Sequence, residues 1–128
     1  MPTDDSAAVT DHLAQAQERL DRARRHLAEG RLHKASRKGW RAAEHMAKAV
    51  ARAQGWEYER HDHFSVVLNN AYGLTGDDGV RVLRAIANEL HGNYYRRKRH
   101  LHADLIGEDI ERVAQLLELL APLTDPTR

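Results

Sequence analysis

The chain has 128 residues, 41% of them hydrophobic and 30% charged, with a formal net charge of +1; this is the size and balance of one soluble domain with one core, and it excludes wholesale disorder. It has no cysteine, which excludes disulfides, thiolate metal sites and a cysteine nucleophile and fits a reducing, cytoplasmic setting. No stretch approaches the roughly 18 apolar residues that span a bilayer, and the opening "MPTDDSAAVTDHLAQ" lacks the cationic start and apolar centre of an export signal, so no membrane association is expected.

Alanine and leucine outnumber β-branched and aromatic residues, so intrinsic propensity favours helix nearly throughout. A first helix is predicted over about Ser6 to Glu29, where Val9, Leu13, Ala16, Leu20, Ala23 and Leu27 alternate spacings of four and three and so keep to one stripe. Glu18 with Arg22 and Asp21 with Arg25 form outward i,i+4 pairs, and Gly30 is the stop. A second helix, about Leu32 to Gln54, turns Ala35, Gly39, Ala42, Ala43, Met46, Ala47, Val50 and Ala53 inward. Small residues there let a neighbour approach closely, and the short "EGR" link predicts an antiparallel pair. Gly55 ends this helix, and "WEYERHDH" reads as a connector with Trp56 folded back onto the core.

A short third helix, about His63 to Tyr72, offers Phe64, Val67, Leu68 and Ala71 as its buried stripe. "GLTGDDG" is a loop in which Asp77 or Asp78 caps the next helix. That fourth helix, about Gly79 to Tyr95, has Leu83, Ile86, Ala87, Leu90 and Tyr94 inward; the fifth, about Glu108 to Leu120, has Ile110, Val113, Leu117 and Leu120 inward. The expected fold is an all-α up-and-down bundle of four main helices plus a short one. It forms a single domain over 1–128, with 1–5 and 122–128 as frayed tails. The alanine-rich second helix has the look of a tetratricopeptide unit, but no second copy occurs at a spacing of about 34 residues, so a repeat architecture is set aside.

Residues 31–60 hold eight Lys/Arg against three acids. Lys34, Lys38, Arg41, His45, Lys48 and Arg52 repeat the four-three alternation and form one cationic stripe. Such a stripe is either a solvated face balanced by Asp11, Glu18 and Asp21 of the first helix, or a track for phosphates. On the fourth helix Arg84, Asn88, His91 and Tyr95 fall together, with Arg84 and His91 on one face about 10 Å apart along the axis. A guanidinium there can hold phosphate oxygens and stabilise added charge, while an imidazole moves a proton to or from a ribose hydroxyl. The plainer alternative has His91 capping carbonyls near Gly92 and Asn93. "HDH" (His61, Asp62, His63) and "HLH" (His100, Leu101, His102) lack the helical spacing of a zinc site, so no metal is expected and His63 is assigned as a cap or core-edge contact. "YYRRKRH" mixes aromatics with cations, a combination able to stack bases and neutralise backbone. No glycine-rich phosphate loop, nucleophile elbow or dinucleotide fingerprint occurs, so no cofactor is expected.

The order of "EGRLHKASRKGWRAAEHMAKAVARAQGW", the connector "HDH", and then "ELHGNYY" after a glycine-rich gap resembles the PaREP family, a branch of the HEPN-like helical bundles. The carrying residues are Trp40, Ala42, Ala43 and Glu44, then Leu90, His91, Asn93, Tyr94 and Tyr95. The resemblance implies a bundle that pairs with a second copy of itself and has nucleic acid as its ligand. In nucleolytic members an Arg and a His a few residues apart, with a polar residue after the Arg, meet the same motif across the dimer in a metal-independent ribonuclease site. Arg84 and His91 fit that interval, though Ala85 follows Arg84; Arg96 or Arg97 with His102, and Arg19 with His26, fit it too. The implied roles are proton transfer for His91, a phosphate clamp for Arg84 and positioning for Asn93 and Tyr95. Asn88, Arg96, Arg97, Lys34, Lys38, Arg41 and Lys48 complete the expected substrate-binding surface. The expected function is nucleic-acid binding, extending to a metal-independent endoribonuclease or the toxin partner of an antitoxin protein. The alternatives are a non-enzymatic protein-interaction module and a nucleotide-binding bundle with Trp40 or Tyr95 as a stacking surface.

Overall fold

The computed structural model describes residues 4–95 and 101–125, and for 4, 94 and 95 the backbone alone. Five helices succeed one another: α1 (Asp4–Ala28), α2 (Leu32–Gln54), α3 (His63–Thr75), α4 (Asp78–Tyr95) and α5 (Ala103–Leu120), closed by a 3-10 turn at Ala121–Thr124. The described residues contain no strand, and the fold is the all-α bundle that the periodicity predicts. Among the described residues no helix is long and apolar enough to cross a membrane.

α2 is the central element, packed against α1, α3, α4 and α5. Its alanines explain why: Ala35, Ala42, Ala43, Ala47, Ala49 and Ala51 are all buried, so neighbours approach from several sides without long side chains between them. Gly39 sets the closest approach. A Cβ there would stand 3.0 Å from Leu90 Cδ1 of α4 and 3.4 Å from Ile110 Cγ1 of α5, so the missing side chain is the seat of both helices. The predicted stripe of α1 is buried at Val9, Ala16, Leu20 and Ala23 and half-buried at Leu13 and Leu27. Trp56 packs back on the core as expected.

The boundaries of α2 coincide with the predicted ones, and elsewhere local caps and tertiary contacts extend the elements. α3 continues through Gly73 to Thr75, whose hydroxyl donates to Ala71 O at 3.0 Å, and stops at Gly76 with φ +66°. Asp77 caps α4, accepting from the Gly79 N–H at 2.8 Å. α5 starts at Ala103 rather than Glu108 because Ile106 is buried and because Gly107, a weak helix former, faces Leu27, whose Cδ2 would stand 3.2 Å from a Cβ there. α1 begins at Asp4, and at the other end Leu123 is buried and its carbonyl accepts from Gln54 Nε2 at 2.9 Å. The segment expected to fray from residue 122 is therefore packed through Thr124. Glu18 pairs with Arg22 at 2.8 Å as predicted, whereas Asp21 turns to Arg24, which itself reaches Glu111 of α5 at 2.7 Å.

Candidate functional site

Because Leu90 sits in the groove left by Gly39, the next residue of α4 falls beside the next residue of α2. His91 stacks on Trp40, ring centroids 4.5 Å apart and planes 21° from parallel. Trp40 is only 3% exposed and meets Phe64 of α3 edge-on at 4.7 Å. The tryptophan is thus a floor under His91, and its ring is not an open stacking surface for a nucleotide.

One turn further along α2, Glu44 is 2% exposed. A carboxylate taken out of water needs partners to stay ionised. The connector supplies two: the Tyr58 hydroxyl donates to Oε2 at 3.0 Å, and His61 Nδ1 meets the same oxygen at 2.8 Å. Arg41 adds a guanidinium 3.9 Å from Oε1. Burial alone would raise the Glu44 carboxyl, but the His61 bond, the Lys48 charge and the Tyr58 bond outweigh it and hold the group below its ordinary value. Burial, and then Glu44, push the Tyr58 phenol up. Lys48 stands over the Tyr58 ring, 5.6 Å from its centroid.

The side chain of His61 is 67% exposed, and its ring lies 5.9 Å from that of His91. His91 is pushed below its ordinary value, first by burial and then by His61 and Arg41, with Glu44 pulling the other way. Burial thus favours the neutral form of its ring. Glu44, Lys48, Tyr58, Glu59, Arg60 and His61 line a cleft of about 160 Å³, and Lys48, Tyr58 and Glu59 also border a larger one of about 460 Å³ that runs on to Trp56, Arg52 and His12.

The cationic stripe is present but is shared between two helices. Lys38 is lowered by burial and then by Arg19 and Arg22 of α1 and Arg37 and Arg41 of α2, which surround it. Of the acids expected to balance the stripe, Glu18 pairs with Arg19 and Arg22, while Asp21 turns to Arg24 and Gln17 and Asp11 to Gln15. Among the described residues no carboxylate lies within ion-pairing distance of Lys34, Lys38 or Lys48; Arg52 pairs with Asp5 at 3.5 Å. His45 turns inward to His12, Nδ1 to Nδ1 at 3.1 Å, and burial, followed by Lys48, His12 and Arg19, lowers it to about 4.

The structure distributes the remaining predicted residues unevenly. Arg84 lies on the unbroken helix α4, but its described partner is Asn69 of α3, to which Nη1 donates at 3.3 Å, and its Nε is buried without a partner. His91 has Trp40 and His61 as ring partners instead, so the two members of the motif occupy different surroundings along one helix. Asn88 is exposed, and Asn93 is buried at 6%, inside the bundle and not on an open surface. The side chain of Tyr95, together with Arg96 and Arg97, lies outside the described residues. His63 is a local cap, its Nδ1 accepting from the Glu59 N–H at 2.9 Å.

Sequence reasoning missed Glu44, Tyr58 and His61 as a group. The one available signal was a lone acid inside an alanine-rich, inward-facing run, since a charge at such a position requires partners from elsewhere in the chain. Among the described residues no three His, Asp or Glu side chains gather as metal ligands. What the arrangement offers chemically is two adjacent imidazoles, one of them backed by a carboxylate, with guanidinium and ammonium groups around them. That set can move protons and neutralise phosphate. The HEPN domain profile matches residues 9–123, from buried Val9 to buried Leu123. No curated protein matches the chain.

Proposed function

The chain belongs to the HEPN domain family, and from that premise we propose that it binds RNA and cuts it without a metal ion, with His91 taking the proton from a ribose 2′-hydroxyl. The observation that carries this reading is the setting of His91: an imidazole held flat on Trp40 beside a second imidazole, its charged form disfavoured by burial. Transesterification of RNA needs a proton acceptor, a proton donor and cationic charge near the phosphate, and imidazole and guanidinium groups meet all three needs. The cation assigned to the scissile phosphate in this reading is Arg41, which stands 3.9 Å from Glu44 Oε1 and whose charge also bears on His91. Arg84, about 10 Å along the helix, grips a neighbouring one. Lys34, Lys38 and Lys48 extend the anion-holding surface, where counterion release drives binding. Pairing with a second copy of the chain belongs to the same reading.

The test is incubation of the purified protein with labelled RNA in excess chelator, beside His91→Ala. Cleavage by the wild type and not by the variant supports the reading; equal cleavage by both removes His91 from the mechanism. If neither RNA cleavage nor salt-sensitive RNA affinity is found, the chain is an interaction module and not a nuclease.

A further inference from the structure

We propose that His61, held by Glu44, is the second proton-transfer group of this site and donates the proton to the departing ribose oxygen, with Glu44 and Tyr58 as positioning residues. The inference rests on the ribonuclease reading and deepens it. Glu44 carries a cost, because it is an ionised carboxylate at 2% exposure inside a helical bundle, where an apolar side chain would pack with no desolvation penalty. Its contacts converge on one job. Oε2 accepts from both Tyr58 and His61, with the Arg41 guanidinium 3.9 Å from Oε1, so the carboxylate is held through Oε2 and in turn orients one ring.

With Nδ1 bonded to Glu44, Nε2 is the ring nitrogen of His61 left to exchange a proton with substrate, as in other carboxylate-backed imidazoles where the acid sets tautomer and orientation. The charged and titratable groups around His61 are Glu44 and Arg41 of α2, Tyr58, Arg60 and Asp62 of the connector, and His91 of α4. Arg60 and Asp62 pair with each other at 3.0 Å and leave the ring to Glu44 and His91. The two imidazoles have centroids 5.9 Å apart, close enough for both to reach one phosphodiester.

The step balances without an added reactant. The 2′-hydroxyl gives its proton to His91 as its oxygen forms a bond to phosphorus. The bond from phosphorus to the 5′-oxygen breaks, and that oxygen takes the proton from His61. The products are a 2′,3′-cyclic phosphate and a free 5′-hydroxyl, and the two imidazoles exchange protons with water before the next turnover.

The experiment compares an ordinary RNA with one carrying sulfur in place of the scissile 5′-oxygen, a leaving group that departs without a proton. In chelator, His61→Ala should lose about 100-fold or more in rate on ordinary RNA but stay within about tenfold of the wild type on the sulfur substrate. His91→Ala should fall on both. Glu44→Gln, which keeps shape and loses charge, should show an intermediate loss confined to ordinary RNA. The His61 ring is 67% exposed, so its removal opens no cavity in the core, but it takes a partner from buried Glu44, and thermal unfolding measures that cost separately from the loss in rate. An equal loss on both substrates, or no loss, overturns the assignment of His61 while leaving the ribonuclease reading standing. A wild type that cuts neither substrate overturns that reading and this assignment together.

Discussion

Trp40 and His91 stack at 4.5 Å, an indole from the middle of α2 against an imidazole from the last turns of α4. The contact joins core and site, because the tryptophan that fills the space beside Phe64 also shields one face of the candidate base from water. A testable consequence is optical. Protonated imidazole quenches a stacked indole, so in a Trp56→Phe protein, where Trp40 is the remaining tryptophan, emission should fall on acidification. The midpoint should lie below 6.5, because burial lowers His91. His91→Gln should abolish that transition; its persistence would show that another group is being reported.

Glu44 ties acid stability to the site. Its folded carboxyl is held below its ordinary value of 4.5, so the unfolded chain binds the proton more readily. The associated stability is therefore complete above about pH 4.5 and is lost as pH falls through the folded value. At pH 7, Glu44→Ala should cost about 2–4 kcal/mol, from lost charged hydrogen bonds and a partly collapsed cavity. Urea denaturation at pH 7 and pH 4 measures both. A variant as stable as the wild type at pH 7 would show that the carboxylate is not held as described.

His12 and His45 form a second acid-sensitive contact. Their Nδ1 atoms are 3.1 Å apart, so one must donate and the other accept, and two protonated rings cannot share the contact. Burial and the neighbouring cations lower His45 to about 4 from 6.5. A histidine depressed in the fold contributes stability above pH 6.5 that drains away as pH falls toward 4, on the order of 2 kcal/mol after allowance for solvent. His45→Gln should flatten the stability curve in that window. Parallel curves for wild type and variant in urea melts at pH 7, 5.5 and 4.5 would refute the coupling.

The cationic patch predicts a salt slope. Lys34, Lys38 and Lys48 have no carboxylate at ion-pairing distance among the described residues, so each is available to a phosphate. Replacing each with Ala should weaken RNA binding and reduce the slope of log K against log salt by about 0.7 per contact for a single strand. Fluorescence anisotropy at several ionic strengths reads this. Arg41→Ala should lower the cleavage rate more than it weakens binding, and Arg84→Ala the reverse, which separates the scissile phosphate from its neighbour. Unchanged slopes in all three lysine variants would move the RNA elsewhere on the surface.

The sequence alone determined which segments are helical, because the signal for a helix is local. Apolar residues recurring every three or four positions mark a face, and glycines at 30, 55 and 76 give the chain a left-handed exit. The ends of α2 and the buried stripe of α3 were legible at residue level for that reason. His91, Arg41, Lys38 and Lys48 were legible as candidates because their types and spacing name a chemistry. The tertiary structure decided which candidates meet. Glu44 and His61 are 17 positions apart and His12 and His45 are 33 apart, and no periodicity fixes how a connector lies across a helix or how two helices are rotated against each other. That phase is set by close packing, here by the space at Gly39 that seats Leu90 and so brings His91 over Trp40. The same packing placed Asn93 inside and gave Arg84 to Asn69, outcomes that a helical wheel drawn for one helix does not contain.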